Sequence, residues 1–307
     1  MNIPSSLRPA ASRFAVAAIF TAAFVQTVSA EIAVKSGEKI AFLGDSITQG
    51  GWDNPVGYVR LVIAGLVANG VQAEPVPAGI SGHKSNDMLA RLERDVIAKR
   101  PQWMTLSCGV NDVWHGQRGV PLDDAAAAVE GAYDEKVAER GTYKKNIAEI
   151  VEKAQAAKIQ VVLLTATVIQ ENLGSPENKK LAPFNDYLRE LAKDKKLRLA
   201  DLNAIFQQRI ISENKPEQKV LTVDGVHMNA EGEKLMATWV LMAFGLDSEQ
   251  IKKADAAWQV LAAEAKAAAE AKAKAKAEAK EKADAEAKAK AEADAKAKAA
   301  TEVPAAK

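Results

Sequence analysis

Five short apolar runs, at residues 39–43, 71–76, 102–108, 159–165 and 197–202, alternate with segments of helical period. The fourth run, Ile159-Gln160-Val161-Val162-Leu163-Leu164-Thr165, is almost continuously apolar, as a strand buried on both faces must be. Between the runs, residues 56–69 place Tyr58, Leu61, Val62 and Leu66 on one side of a helix, and Gly70 stops it. Residues 86–99 do the same with Met88, Leu89, Leu92 and Val96 before Arg100-Pro101. Further helical patterns cover residues 143–157, 178–193, 204–212 and 230–244, while residues 113–135 read as a loop with a short helix. Strands separated by helices pair in parallel, so the pattern predicts an α/β fold with its sheet covered on both faces.

Polar, glycine-bearing blocks follow three of the runs. Gly44-Asp45-Ser46 follows the first, Pro77-Ala78-Gly79-Ile80-Ser81-Gly82 the second and Gly109-Val110-Asn111-Asp112 the third. A fourth block, Asp224-Gly225-Val226-His227, precedes the last helical pattern. Open α/β sheets bind ligands beyond the carboxyl ends of their strands. A serine there is a weak nucleophile until a base takes its proton. His227 is the candidate base for Ser46, with Asp224 holding the imidazole. Backbone N–H groups at Ser46 and Gly79 and the side-chain amide of Asn111 are candidate oxyanion donors. Asp45 adjoins the serine and projects away from it, which leaves Asp224 as the acid of choice.

These blocks, in this order, resemble the signature of the SGNH hydrolases, or GDSL esterases, over roughly residues 38–245. Ser46, Gly79, Asn111 and His227 match the family's four letters. The resemblance implies a three-layer α/β/α, flavodoxin-like fold with a mostly parallel five-stranded sheet, and a serine esterase that needs no cofactor. It also implies that Asp45 supports its loop. Position 77, where relatives often carry Asn, holds Pro.

Competing readings stay open for other residues. Ser81 does not complete G-x-S-x-G, the nucleophile elbow of the α/β-hydrolases. Cys108, the single cysteine, excludes an intrachain disulfide and reads as a small core residue; a nucleophilic role is the alternative. His83 and His115 follow the second and third blocks and lack the helical spacing of a metal pair, so no metal is expected. Trp52, Trp114 and His115 are candidate substrate contacts on loops near the site, where tryptophan stacks on sugar rings or acyl chains. Ordinary packing is the alternative for both tryptophans.

The ends of the chain are of different character. Arg8 and Arg13 precede or open an apolar run at residues 14–25, and Val28-Ser29-Ala30 offers small residues for cleavage. Residues 1–30 thus read as an export signal, too short for a comfortable membrane span, with an uncleaved anchor as the alternative. The expected hydrolase domain is residues 31–250, exported to the periplasm or beyond. Residues 251–307 form an Ala/Lys/Glu-rich tail. From residue 261 onward 11 lysines face 9 acidic residues, and no stripe of larger side chains exists to bury. A solvated helix or disordered spacer touching the cell envelope is expected, not a nucleic-acid-binding segment. The whole chain, at net charge +1, implies no polyanionic partner.

The expected function is hydrolysis of small acyl esters, above all acetyl groups on carbohydrates. A lysophospholipase or thioesterase using the same residues is the alternative, as is a non-catalytic envelope protein.

Overall fold

The computed structural model describes residues 31–129, 134–215 and 218–301. The expected export segment, residues 1–30, lies outside the described residues. In chain order the elements are β1 (Lys39–Gly44), α1 (Ser46–Asp53), α2 (Tyr58–Ala68), β2 (Glu74–Gly79), α3 (Ser85–Asp95), β3 (Trp103–Ser107) and α4 (Val110–Trp114). Then come α5 (Asp124–Ala127), α6 (Val137–Arg140), α7 (Tyr143–Ala156), β4 (Gln160–Leu164), α8 (Pro176–Asp194), β5 (Arg198–Ala200), α9 (Leu202–Glu213), α10 (Ala230–Ala243) and α11 (Ser248–Thr301).

The five strands form one parallel sheet in the order β2-β1-β3-β4-β5. The order reverses between β1 and β3, so the crevice beyond their carboxyl ends is the switch point where such sheets bind ligands. β1 and β3 are buried along their apolar lengths, with Ile40, Ala41, Phe42, Leu43 and Met104 fully enclosed. Helices α2, α10 and the start of α11 pack together on one face, and α3, α7 and α8 on the other. Helix α7 shows the reason: Tyr143, Ile147, Ile150, Val151 and Ala154 repeat at helical spacing and are all buried. Its charged residues lie on the outer side, while Asn146 is buried with the apolar stripe.

β2 differs from its expected span. It runs from Glu74 to Gly79 and includes Pro75 and Pro77, paired with Ile40 and Phe42. Proline lacks the N–H of a central strand, but β2 is an edge strand and needs no second ladder. Pro77 is therefore part of the sheet rather than of the loop after it.

Helix α11 is continuous from Ser248 to Thr301 and crosses the expected boundary near residue 250, its first turns packing on α2 and α10. Ala254 and Trp258 are buried, at 0% and 2% exposure. The Trp258 indole N–H donates to the Leu61 carbonyl at 2.7 Å. Gly65 in α2 lets this helix approach closely, since a Cβ there would meet Leu241 Cδ1 at 2.5 Å and the Ala254 Cβ at 3.1 Å. From residue 266 through 288 every side chain is exposed. No helix among the described residues is long and apolar enough to cross a membrane.

Candidate active site

β1 ends in a turn with little room. A Cβ at Gly44 would lie 2.0 Å from Thr48 Oγ1, so only glycine lets the chain turn directly into α1. Asp45 is the N-cap of α1, its carboxylate accepting from the Ile47 N–H at 2.9 Å. Its side chain is thus turned into the protein and away from Ser46, the first residue of the helix. Burial, chiefly, pushes the Asp45 carboxyl up to about 7, with Asp112 adding to the rise and the Ile47 N–H opposing it.

The fourth block arrives from 181 residues away. His227 Nε2 lies 2.9 Å from Ser46 Oγ, and His227 Nδ1 lies 2.6 Å from Asp224 Oδ2. The other Asp224 oxygen accepts from the backbone N–H groups of Val226 and His227 at 2.9 and 2.8 Å. Burial alone would raise the Asp224 carboxyl; the His227 ring and these N–H groups outweigh it and hold it down at about 2. A short antiparallel bridge between Thr222 and Met228 closes the loop, with the Val223 N–H donating to the His227 carbonyl at 2.8 Å.

Glu171, in the loop after β4, anchors the base of that bridge. Its carboxylate accepts from the N–H groups of Val220, Leu221 and Thr222 and from the Thr222 hydroxyl. Gly225, at φ +103°, packs against Gln170, and the Gln170 N–H donates to its carbonyl at 2.8 Å. Asn229 then caps α10 through the Glu231 and Gly232 N–H groups, both at 3.0 Å. Of these supports only Gly225 stands in a sequence block.

Gly79 ends β2 against the first turn of α1. A Cβ there would fall 2.3 Å from the Gln49 backbone nitrogen, so this approach admits no side chain. Asn111 lies in α4, buried, and its Nδ2 donates to the His83 carbonyl at 3.1 Å, which engages one of its two amide hydrogens. Asp112 is fully buried and accepts from the Ser85 N–H at 3.0 Å and hydroxyl at 2.6 Å. Asn146 of α7 donates in turn to Ser85 Oγ at 3.0 Å. This ties the third block to the start of α3. Burial raises the Asp112 carboxyl and pushes the Cys108 thiol well up. Cys108 is buried, with its Sγ 3.4 Å from Asp112 Oδ2.

The remaining candidates separate. Trp114 is 42% exposed and lies beside His115, ring centroids 6.2 Å apart. Burial, with Lys84 and Arg118 nearby, lowers the His115 ring. Trp52, at the far end of α1, is partly buried against the core, and the Arg60 guanidinium lies 4.1 Å from its ring centroid. One face of that indole is already in use. Ser81 is exposed, its N–H donating to Gln49 Oε1 at 2.9 Å. Among the described residues no group of three or more His, Cys, Asp or Glu side chains is placed to hold a metal ion.

Comparison with known proteins places this geometry in a family. The sequence signature of the GDSL-like Lipase/Acylhydrolase family matches residues 42–235. An acetylxylan esterase from Geobacillus stearothermophilus is 28% identical over 228 residues, 70% of this chain and 97% of that protein. Among solved structures, the acetyl xylan esterase AlAXEase is 32% identical with a TM-score of 0.55, over 67% of this chain and 98% of its own. The acetylxylan esterase Axe2 of Geobacillus stearothermophilus is 26% identical with a TM-score of 0.57, over 70% of this chain and 97% of its own. The fold, the order of the blocks and the matched span agree, and the chain belongs to the GDSL-like Lipase/Acylhydrolase family.

Proposed function

We propose that the protein is an exported serine esterase that removes acetyl groups from carbohydrates, with acetylated xylan and its oligosaccharides as the substrate class. The observation that carries this reading is the chain of contacts from Ser46 Oγ to His227 at 2.9 Å and from His227 to Asp224 at 2.6 Å. The substrate class rests on the relatives above, which are acetylxylan esterases. Export rests on the amino-terminal sequence.

In the proposed reaction Ser46 Oγ attacks the acetyl carbonyl while His227 Nε2 takes its proton. The carbonyl oxygen gains the negative charge and is held by the N–H groups of Ser46 and Gly79 and by Asn111 Nδ2. As the tetrahedral adduct collapses, His227 returns the proton to the departing sugar oxygen and Ser46 is left acetylated. Water, deprotonated by His227, then releases acetate and restores the serine. Asp224 keeps Nδ1 protonated and stabilises the imidazolium. Asp45 shapes the nucleophile turn. Trp114 and His115 line the sugar side of the mouth. The exposed part of α11 acts as a helical spacer toward the cell envelope.

The test compares acetate release from acetylated xylo-oligosaccharides with hydrolysis of an aryl-ester chain-length series and of lysophospholipid. Preference for acetyl sugars is expected. Faster turnover of long acyl chains or lysolipid would replace the carbohydrate assignment. Ser46→Ala should remove activity on every ester by about 10³-fold or more. Retention of most activity would overturn the serine mechanism.

A further inference from the structure

Arg91 belongs to none of the sequence blocks. It lies on the buried side of α3 beside Met88 and Leu92, and its side chain is 4% exposed. Its Nη2 donates to the Gly44 carbonyl at 2.8 Å, and its Nη1 to the Ala78 carbonyl at 2.8 Å. Its Nε donates to His83 Nδ1 at 3.0 Å. The fourth acceptor is its own-helix neighbour Asp95, 3.2 Å from Nη1. One guanidinium thus spans the carboxyl ends of β1 and β2 and the loop that follows β2.

Each grip has a consequence for a proposed oxyanion donor. The Ala78 carbonyl and the Gly79 N–H belong to one planar trans peptide unit and point in opposite directions. Fixing that oxygen fixes the line of the Gly79 N–H, and a cation at the oxygen polarises the N–H further. The bond to Nδ1 holds His83, whose carbonyl accepts from Asn111 Nδ2 at 3.1 Å. The Gly44 carbonyl lies two residues before Ser46. A buried cation is expensive to desolvate. Bridging two carbonyls needs no charge, whereas polarising and aligning donors for a developing anion benefits from it.

We propose that Arg91 is the positioning residue of the oxyanion hole, aligning the Gly79 N–H through the Ala78 carbonyl and the Asn111 amide through His83. This rests on the serine esterase reading above. Arg91 touches neither substrate nor Ser46, and its effect is felt where the transition state is bound. Lysine is no equivalent, since its single ammonium does not reproduce the planar fork.

The experiment measures kcat and KM for an aryl acetate on full-length Arg91→Met, Arg91→Lys and His83→Leu, well below each melting temperature. For Arg91→Met a fall in kcat of about 10- to 100-fold is expected, with KM within about twofold, the range that a small misplacement of reacting groups produces. Arg91→Lys should recover less than half of the loss on a logarithmic scale. A tetrahedral boronate inhibitor should weaken in step with kcat/KM, a readout that a purely structural role would leave alone. His83→Leu, which keeps the carbonyl and removes only the ring acceptor, should lower kcat by about 3- to 10-fold. This variant decides the matter where Arg91→Met fails to fold. Unchanged kcat in folded Arg91→Met, or in His83→Leu, overturns the proposal. Loss of activity in Ser46→Ala alongside a fully active Arg91→Met would defeat this inference alone, whereas an active Ser46→Ala would defeat the esterase reading beneath it.

Discussion

Asp224 binds His227 twice, once at the ring Nδ1 at 2.6 Å and once at the backbone N–H at 2.8 Å. The three-residue spacing makes this possible: the carboxylate closes its own turn while holding the ring that the turn carries. Held down at about 2, the carboxyl is ionised throughout the working pH range. Asp224→Asn should keep the loop and lose the preferred tautomer. A fall in kcat of roughly 10³–10⁴-fold on aryl acetate is expected, with little change in KM. A fall below tenfold would show that His227 works without this carboxylate.

Asn111 has one amide hydrogen on the His83 carbonyl and one left for an oxyanion. Asn111→Ala should therefore lower kcat by about 10²–10³-fold, the effect of removing one side-chain donor. KM should hardly move, because that bond strengthens as charge develops on the carbonyl oxygen. A change confined to KM would make Asn111 a ground-state binding residue.

The alternation of apolar runs and helical segments exposed the parallel sheet, because strands buried on both faces leave no polar interruptions. β2 was harder to read. Pro75 and Pro77 disguise a strand unless its place at the sheet edge is known, and edge position is a property of the whole fold. The contacts of Ser46, Asp224 and His227 were legible because they recur as compact blocks. Arg91 and Glu171 were not, since several of the bonds each makes go to backbone groups that carry no sequence mark. Arg91 did leave one trace: a cation on the same helical face as Met88 and Leu92 must be satisfied inside the protein. Trp258 was hidden by its place at the head of a long alanine- and lysine-rich segment.

Glu233 offers a test of buried charge remote from the site. Its carboxylate in α10 accepts from the Tyr58 N–H at 2.7 Å and so caps α2, whose own N-cap, Gly57, has no side chain. Burial pushes the carboxyl from 4.5 up to about 7, against the opposing pull of the Tyr58 N–H. The folded state therefore holds this proton more tightly than the unfolded chain. The resulting stability is fully present below about pH 4.5 and is lost as pH rises through about 7. Glu233→Gln keeps an accepting oxygen without the charge. It should raise the melting temperature at pH 8 by a few degrees and flatten its dependence between pH 4.5 and 7. Asp45, raised for the same reason, would leave part of the slope in place. An unaltered slope in the variant would mean that the Glu233 carboxyl titrates alike in the folded and unfolded chains.

Truncation separates the two parts of α11. Removing residues after 250 deletes Ala254 and Trp258, strips the indole bond from Leu61 and uncovers Gly65 and Leu241. Losing a buried tryptophan costs about 3–5 kcal/mol even as a single Trp→Ala change. A truncation that also uncovers α2 and α10 should lower the melting temperature by about 10 °C or more. Truncation after residue 266 should leave the melting temperature and kcat/KM within error, because the helix beyond that point has only exposed side chains through residue 288. That stretch has no core to melt with. Its stability comes from helix propensity and i,i+4 pairs such as Lys274–Glu278. The removed segment, as a peptide, should lose helicity gradually on heating. Equal destabilisation by both truncations would show that the far part of α11 also packs on the domain. No effect from either would mean that Trp258 contributes nothing to the core that encloses it.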